Sequence, residues 1–529
     1  MKTVEAEVLV IGGGATGAGV LRDVCMRGYE GLLVERSDLA MGTSGRFHGL
    51  LHSGGRYAVK DPSSAKECMD ENRVLRRIAA DCIEDTSGYF VTTERDDPSY
   101  SDLFIDGCRK TGIPVEEVSV SAALAAEPRL SPRISRVLQV PDAAVDAWKT
   151  VWGCVRSAQE HGGRALPYHK VTGILREDDR VVGVIAEDRA GDEVRIRAGF
   201  TINASGAWAA SIASLAGCEG ITILPGRGIM IAMGHRLVDT VINRCQMPTD
   251  GDILVPIRTV SVIGTTDEEA SDPDDLAILQ EEVDQMLEDG ETLVPGFKQA
   301  RALRVWAGVR PLFKDSKEES SATRDVSRSH KLVDHRERDG VDGFLTITGG
   351  KFTTFRRMAE DTVDAMAAQL KDDRPCHTHE EALPDSEEHT YYTLGSRLSA
   401  REEALHDEQI ICECELIGRR ALENAMQRRG SSDLDDIRRT LRLGMGPCQG
   451  GFCIYRSAGI LHSLQSMDAG TATTSLKDFL QERWKGLHPI LYGDGLRQAR
   501  LDDWIFQGLL DVEHLPGRAG TKKSAEHKA

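Results

Sequence analysis

The run Gly12-Gly13-Gly14-Ala15-Thr16-Gly17 constrains this chain more than any other feature, because it stands between a strand and a helix. Residues 6–11 (AEVLVI) are short, β-branched and end directly at the glycines, which reads as a buried strand. Residues 15–27 read as a helix and residues 31–35 (GLLVE) as a second strand, so the chain opens with a βαβ unit. Glycine at 12, 14 and 17 permits a tight turn, close approach of backbone to a pyrophosphate, and close packing of helix on strand. The helix N-terminus then faces the phosphate charge. Glu35 ends the second strand, where a carboxylate can bind a ribose diol. The alternative is a glycine-rich turn in a nucleotide-free α/β fold; the strand, helix and acidic residue together weigh against it.

The fingerprint alone does not choose between NAD and FAD. Two later segments repeat the strand-to-glycine pattern: Thr201-Ile202-Asn203-Ala204-Ser205-Gly206, and Thr346-Ile347-Thr348-Gly349-Gly350-Lys351. Residues 37–57 add a polar, glycine-rich stretch right after the second strand. Three separated crossings suggest one long cofactor threaded through the fold, which FAD is and a simple NAD domain does not require.

At 529 residues the chain is too long for one ordinary core, so two or more domains are expected. A formal net charge of −19 disfavours a nucleic-acid partner. An anionic ligand stays compatible, because salt screens distant charge within about 10 Å and a local basic pocket can override the global sign. No apolar run approaches the roughly 18 to 20 residues that span a bilayer. Glu5 and Glu7 stand where a signal peptide would be basic, so the expected location is the cytoplasmic side, soluble or attached through partners. In that reducing setting the 12 cysteines read as thiols or metal ligands.

Residues 63–84 read as a long helix, and from about 130 to 370 strands such as Val181–Ala186 alternate with loops and helices, as in an α/β body holding a second sheet. Residues 371–408, polar and acidic with Pro375 and Pro384, read as a linker. A compact segment, 409–463, follows, then a helical extension with Trp484 and Trp504 and a charged tail up to residue 529. Within the compact segment, Cys412-Glu413-Cys414 and Cys448-Gln449-Gly450-Gly451-Phe452-Cys453 make a Cys-x-Cys and a Cys-x4-Cys pair. Four thiolates suit an iron–sulfur cluster, and Gly446, Gly450 and Gly451 permit a loop that aims N–H groups at sulfur. Structural zinc also takes four cysteines and remains the rival.

The motifs VLVIGGGATGAGVLRD (8–23), GTSGRFHGLLHSGGRY (42–57), TINASGAWA (201–209), WAGVRPL (306–312), TRD (323–325) and TITGGKFTTFRRMAED (346–361) resemble the FAD-dependent glycerol-3-phosphate dehydrogenases, within the amino-acid-oxidase-like flavoproteins. DILVPIRTVSVIGTTD (252–267) and the C-terminal extension are most similar to the anaerobic branch, whose chains are catalytic subunits of three-subunit quinone-reducing enzymes. The cysteine segment resembles the bacterioferritin-associated-ferredoxin-like [2Fe–2S] fold.

The resemblance implies an α/β (α+β) architecture: a Rossmann-like FAD-binding domain interleaved with a β-sheet substrate domain over residues 1–370, plus a small iron–sulfur module. It assigns Gly12, Gly14, Gly17, Glu35, Thr43, Ser44, Gly206 and Gly350 to the FAD site. It assigns Arg56, Arg310 and Lys351 to the substrate end of the flavin, and Cys412, Cys414, Cys448 and Cys453 to the cluster. The respiratory branch tends to carry a histidine in the stretch aligned with Gly226–Ile229, whereas this chain has Gly228, so no base role carries over there. The implied partners are glycerol 3-phosphate, a second flavoprotein subunit with FMN as its candidate cofactor, an iron–sulfur membrane-anchoring subunit, and quinone indirectly.

The chemistry asks for cations to hold a phosphate dianion, and arginine presents a planar fork for its oxygens. Arg56 and Arg310 are the best pair, with Lys351 beside them; a surface ion pair is the competing reading for any one of them. His52 is a candidate general base, since an imidazole titrates near neutrality; a packed, hydrogen-bonded histidine is its alternative. Arg324 and Asp325 are candidates for a supporting ion pair. Two other functions fit the same features: a flavoprotein dehydrogenase of another small hydroxy acid such as 2-hydroxyglutarate, and a non-catalytic redox sensor or scaffold.

Overall fold

The computed structural model describes residues 2–314, 329–404, 408–429, 431, 433–465 and 468–515. The TRD motif with Arg324 and Asp325, and the charged tail from 516, lie outside the described residues.

The opening unit is strand Lys2–Ile11, helix Ala15–Met26 and strand Gly31–Val34. The first strand pairs in parallel with Gly31–Val34 on one side and with Glu193–Asn203 on the other. Val8–Ile11 are buried on both faces, which is why this stretch is uniformly apolar instead of alternating. Glu193–Asn203 continues in parallel to Phe344–Gly349, completing the core of an eight-stranded sheet. Val181–Ala186 lies in this sheet as well, within the strand Arg180–Glu187.

A second, nine-stranded sheet draws from interleaved parts of the chain. It begins at Gly88–Thr92, earlier than the expected boundary near 130, and takes in Arg136–Val140 and Val241–Arg244. Its longest pair is Ile223–Met233 against Ala302–Phe313, antiparallel, with Gly226 opposite Arg310 and Gly228 opposite Gly308. The hairpin Ile253–Ile257 and Val260–Gly264 packs beside it. The helix expected over 63–84 is Pro62–Ile78, with Asp61 accepting from the Ser64 N–H as its cap.

Within the segment read as a linker, residues 371–392 are anchored on the first domain, whereas the helix Leu394–Ala404 is largely exposed. Leu383 sits in the core of the first domain. The buried Arg22 guanidinium donates to the Thr378 carbonyl at 2.9 Å and the Glu381 carbonyl at 2.7 Å. Composition conceals these anchors, because backbone carbonyls and one leucine leave no mark on an otherwise acidic stretch.

The C-terminal region pairs strands Ile410–Cys412 and Ile417–Gly418 and packs helices Arg419–Arg429, Leu434–Leu441 and Ile454–Gln465 around Ile411, Leu422 and Ile437. Phe479 and Phe506, from beyond residue 463, complete the same core, so the extension shares one interior with the cysteine segment. Trp484 and Trp504 are half exposed. Buried ion pairs seat this region on the first domain: Asp38 accepts from Arg439 Nε at 2.6 Å and from Arg429, while Asp436 accepts from the Tyr168 hydroxyl. No helix among the described residues is long and apolar enough to cross a membrane.

Candidate functional site

Between the two sheets lies a cavity of about 790 Å³, in the range of cofactor and small-ligand sites. At one end is the glycine turn. Gly12 takes φ +110°, and a Cβ there would stand 2.6 Å from the Ala204 carbonyl oxygen, so only glycine lets this loop pass the second strand-to-glycine crossing. Gly14, Thr43, Ser44, Gly206 and Gly350 line the same cavity. The Ser44 hydroxyl accepts from the Ala15 N–H at 2.9 Å, capping the first helix where phosphate charge is favoured. The Thr43 hydroxyl donates to the Val309 carbonyl and so ties the turn to the second sheet. Glu35 accepts from the Gly13 N–H at 2.7 Å and the Ser37 N–H at 2.9 Å; its burial still pushes its pKa upward. Gly17 does not line the cavity. A Cβ there would stand 1.9 Å from the Gly12 carbonyl oxygen, so it packs the helix against the turn from behind.

The cationic residues share this cavity. Arg56, Arg310, Lys351 and His52 all line the cavity, although they come from separate stretches of chain. Each arginine is held by a carboxylate. Arg56 Nη2 lies 2.8 Å from Asp252, which is fully buried. Burial opposes the Arg56 charge, but the Asp252 carboxylate more than offsets it. Arg310 donates to Asp267 at 2.7 Å, to the Thr266 carbonyl at 2.7 Å and to Thr265 Oγ1 at 3.0 Å. Lys351 Nζ lies 3.9 Å from a Glu67 carboxylate oxygen and 5.2 Å above the Tyr57 ring.

Gly228 explains itself in this frame. A Cβ there would meet Thr265 Oγ1 at 2.2 Å, the Thr266 carbonyl oxygen at 2.3 Å and Arg310 Nη2 at 2.7 Å. A side chain at 228 and Arg310 in this place exclude one another.

The structure adds four residues that the sequence does not single out: His48, Asp252, Thr265 and Asp267. Signals for them are present. Asp252 and Asp267 are the first and last residues of the stretch 252–267, and His48 lies in the stretch 42–57. His48 and His52 stand edge to face, 6.0 Å between ring centres. His48 Nδ1 accepts from the Leu50 N–H at 3.1 Å, so its neutral form carries the proton on Nε2. Burial pushes the His48 pKa down to about 3, helped by Arg56 and Arg310. Burial, His48, Arg56 and Lys351 hold His52 well below the usual imidazole range. Both rings are therefore neutral at physiological pH, and a neutral imidazole can accept a proton.

The four cysteines gather at one place in two close pairs, Cys412 with Cys453 and Cys414 with Cys448. The Cys412 sulfur accepts from the Glu415 and Gly444 N–H groups. Cys414 and the N–H groups of Gly450, Phe452 and Gly451 hold the Cys448 thiol down at about 6 against its burial. Two pairs of cysteine sulfurs, with N–H groups directed at Cys412 and Cys448, would fit the four-sulfur ligation of an iron–sulfur cluster. The other eight cysteines are buried thiols.

Comparison with known proteins gives the family of each part of the chain. The family described as FAD dependent oxidoreductase matches residues 7–385, and the BFD-like [2Fe-2S] binding domain matches residues 410–463. One subunit of the anaerobic glycerol-3-phosphate dehydrogenase of Escherichia coli is 42% identical, over 96% of this chain and 97% of its own. A like-named chain of Haloferax volcanii is 40% identical, over 97% of this chain and 92% of its own. Among solved structures, the glycerol-3-phosphate dehydrogenase of Bacillus halodurans complexed with FAD superposes with a TM-score of 0.64 at 20% identity, covering 92% of this chain and 96% of that one. The glycine oxidase of Bacillus cereus gives 0.56 at 21% identity over 70% and 96%, so the fold is shared more widely than any one substrate.

Proposed function

Since this chain belongs to the FAD dependent oxidoreductase family and stands, within it, with the anaerobic glycerol-3-phosphate dehydrogenases, we propose that it oxidises sn-glycerol 3-phosphate to dihydroxyacetone phosphate. When bound, FAD accepts the hydride from the carbinol carbon and the [2Fe–2S] cluster carries the electrons onward one at a time.

The chain's own residues do the rest. The glycine turn, Ser44 and the helix N-terminus at Ala15 hold the pyrophosphate, and Glu35 accepts from the ribose hydroxyls. Arg56, Arg310 and Lys351 hold the phosphate dianion and orient the alcohol. Asp252 and Asp267 fix the two guanidinium planes, so binding requires little rearrangement. His52, neutral in this setting, takes the hydroxyl proton on a ring nitrogen as the hydride leaves. Cys412, Cys414, Cys448 and Cys453 ligate the cluster.

The observation that carries this reading is that Arg56, Arg310 and Lys351 line one cavity with the glycine turn, Arg56 and Lys351 close enough to His52, and Arg56 and Arg310 to His48, to depress both imidazoles. A redox sensor has no use for such a cage. A hydroxy-acid dehydrogenase could use it, but the relatives that match nearly end to end are glycerol-3-phosphate dehydrogenase chains. By the same kinship we propose further subunits: one a second flavoprotein, for which FMN is the candidate cofactor, and one an iron–sulfur membrane anchor. They would hold this chain peripherally at the cytoplasmic face of the membrane and pass electrons to quinone.

Turnover with an artificial electron acceptor tests the substrate. Glycerol 3-phosphate should yield dihydroxyacetone phosphate, while glycerol and 2-hydroxyglutarate should be poor substrates. Preference for 2-hydroxyglutarate would reassign the cage to a carboxylate.

A further inference from the structure

A hydroxyl from the second sheet ends beside the cysteine module. The hairpin Ile253–Ile257 and Val260–Gly264 closes at the pair Ile257–Val260, so Arg258 and Thr259 form its turn. At its base, Ile253 and the neighbouring Thr265 line the cofactor cavity. Its tip reaches the other way. A Cβ placed on Gly446 would stand 3.2 Å from Thr259 Oγ1, 3.2 Å from Cys414 Sγ and 2.3 Å from Cys414 Cβ. Gly446 thus leaves a gap, with the hydroxyl on one wall and a ligand sulfur on another.

The tip is held in that place. The Arg258 N–H donates to Glu84 at 3.1 Å, and its carbonyl accepts from Arg236 Nη1 at 2.9 Å. The Arg258 guanidinium stacks 3.3 Å over the Tyr392 ring. Its backbone takes φ +54°, uncommon for a non-glycine residue and in keeping with a two-residue hairpin turn. The Thr259 hydroxyl, by contrast, is buried with no hydrogen-bond partner among the described residues. Buried hydroxyls left so are rare, and an acceptor that arrives with a bound group resolves the exception.

We propose that Thr259 donates an O–H···S hydrogen bond to a sulfur that the bound iron–sulfur centre brings beside Cys414, so that the flavin-binding part of the chain helps set the potential of the cluster it feeds. The proposal rests on the reading that the four cysteines hold a [2Fe–2S] cluster. One-electron reduction adds negative charge to the sulfurs, so a donor stabilises the reduced form more than the oxidised one and raises the potential. The backbone N–H donors at Cys412, Cys414 and Cys448 belong to the cysteine module itself. Thr259 comes from outside it. Docking of the module on the hairpin would then be sensed by the cluster, which accepts an electron most readily when seated.

The test is a redox titration of the cluster, followed by electron paramagnetic resonance, in the full-length protein carrying both cofactors. Wild type, Thr259→Val and Thr259→Ser are compared, with iron and sulfide content measured in each. Thr259→Val should keep its iron and sulfide yet show a reduced-to-oxidised ratio about threefold to tenfold lower at fixed solution potential; tenfold corresponds to about 59 mV for one electron. Thr259→Ser should titrate with the wild type. Should the valine variant fail to load, Thr259→Ala is read in its place. A cluster-loaded valine or alanine variant with the wild-type potential overturns the proposal, as does a serine variant that shifts like valine. Absence of iron and sulfide from the wild type would instead overturn the cluster reading, and the proposal with it.

Discussion

Gly228 and Arg310 compete for one space: a Cβ on Gly228 would stand 2.7 Å from Arg310 Nη2. The two strands that carry them are paired with Gly226 opposite Arg310, so the guanidinium folds back over the neighbouring backbone and not away from it. Gly228→Ala should therefore displace the guanidinium and lower kcat/KM by about 10²-fold, the scale of a small misplacement at a reacting centre. Steady-state kinetics at equal flavin content measures this. Kinetics unchanged from wild type would mean that Arg310 has room to spare, against the geometry.

Arg310→Ala should cost more than a surface arginine would. It removes a charge-assisted contact to the dianion, about 3 kcal/mol or roughly 10²-fold in kcat/KM. It also leaves Asp267 buried without its 2.7 Å partner. Arg310→Lys keeps the charge but loses the fork to Asp267, Thr265 and Thr266, so its activity should fall between the two. Equal activity in wild type and Arg310→Ala would remove this side chain from substrate binding.

Cys412→Ser and Cys448→Ser each break one member of a different sulfur pair, and each should abolish the visible cluster spectrum. Electron delivery to quinone should fall, while glycerol 3-phosphate still bleaches the flavin. Cys218→Ser, a buried thiol far from the pairs in sequence, should keep the cluster. Undiminished quinone reduction in a cluster-free variant would exclude the relay.

The pH behaviour follows from the two histidines. His52 is held well below the usual imidazole range, so it stays deprotonated where a solvated histidine would titrate. The acid limb of kcat/KM should accordingly lie below the usual imidazole range, activity being lost only as pH falls through the depressed value. His48 contributes to stability in the same sense. Its folded value of about 3 lies under its ordinary 6.5, so the unfolded chain binds the proton first and stability is lost as pH falls from about 6.5 toward 3. A plot of Tm against pH should slope upward through that window and flatten in His48→Asn.

Asp38 seats the cysteine module, accepting from Arg429 and Arg439 while almost wholly buried. Asp38→Ala removes one of the two carboxylates that Arg429 and Arg439 share, Asp436 remaining, at a cost of about 1–3 kcal/mol. Hydrogen exchange should rise in residues 409–515 before it rises in the first sheet. Uniform exchange across the chain would show that the module is held by other contacts.

Why some of this is legible in the sequence, and some not, comes down to range. The strand, glycine turn, helix and Glu35 lie within one local unit, and their chemistry shows in their spacing. The cysteine pairs are likewise local, two short motifs in one compact segment. The partners of the arginines are not. Arg56 meets Asp252 and Arg310 meets Asp267 only after the second sheet has brought distant strands together, and an aspartate in so acidic a chain carries no mark of its partner. Gly228 reads as a departure from a relative; its reason, the Arg310 guanidinium beside it, needs coordinates. The linker segment hides its anchors for the opposite cause: its acidic composition gives no sign that Leu383 and the carbonyls of Thr378 and Glu381, which receive Arg22, hold its first part to the domain.

The most direct test is spectroscopic. Purified protein carrying FAD and the cluster is mixed with glycerol 3-phosphate in the absence of air and of any acceptor, and the flavin absorbance is followed. The yellow colour should bleach promptly, and dihydroxyacetone phosphate should appear in proportion to the electrons taken up. A flavin that stays oxidised under excess glycerol 3-phosphate, in protein shown to be fully loaded, would contradict the account at its centre.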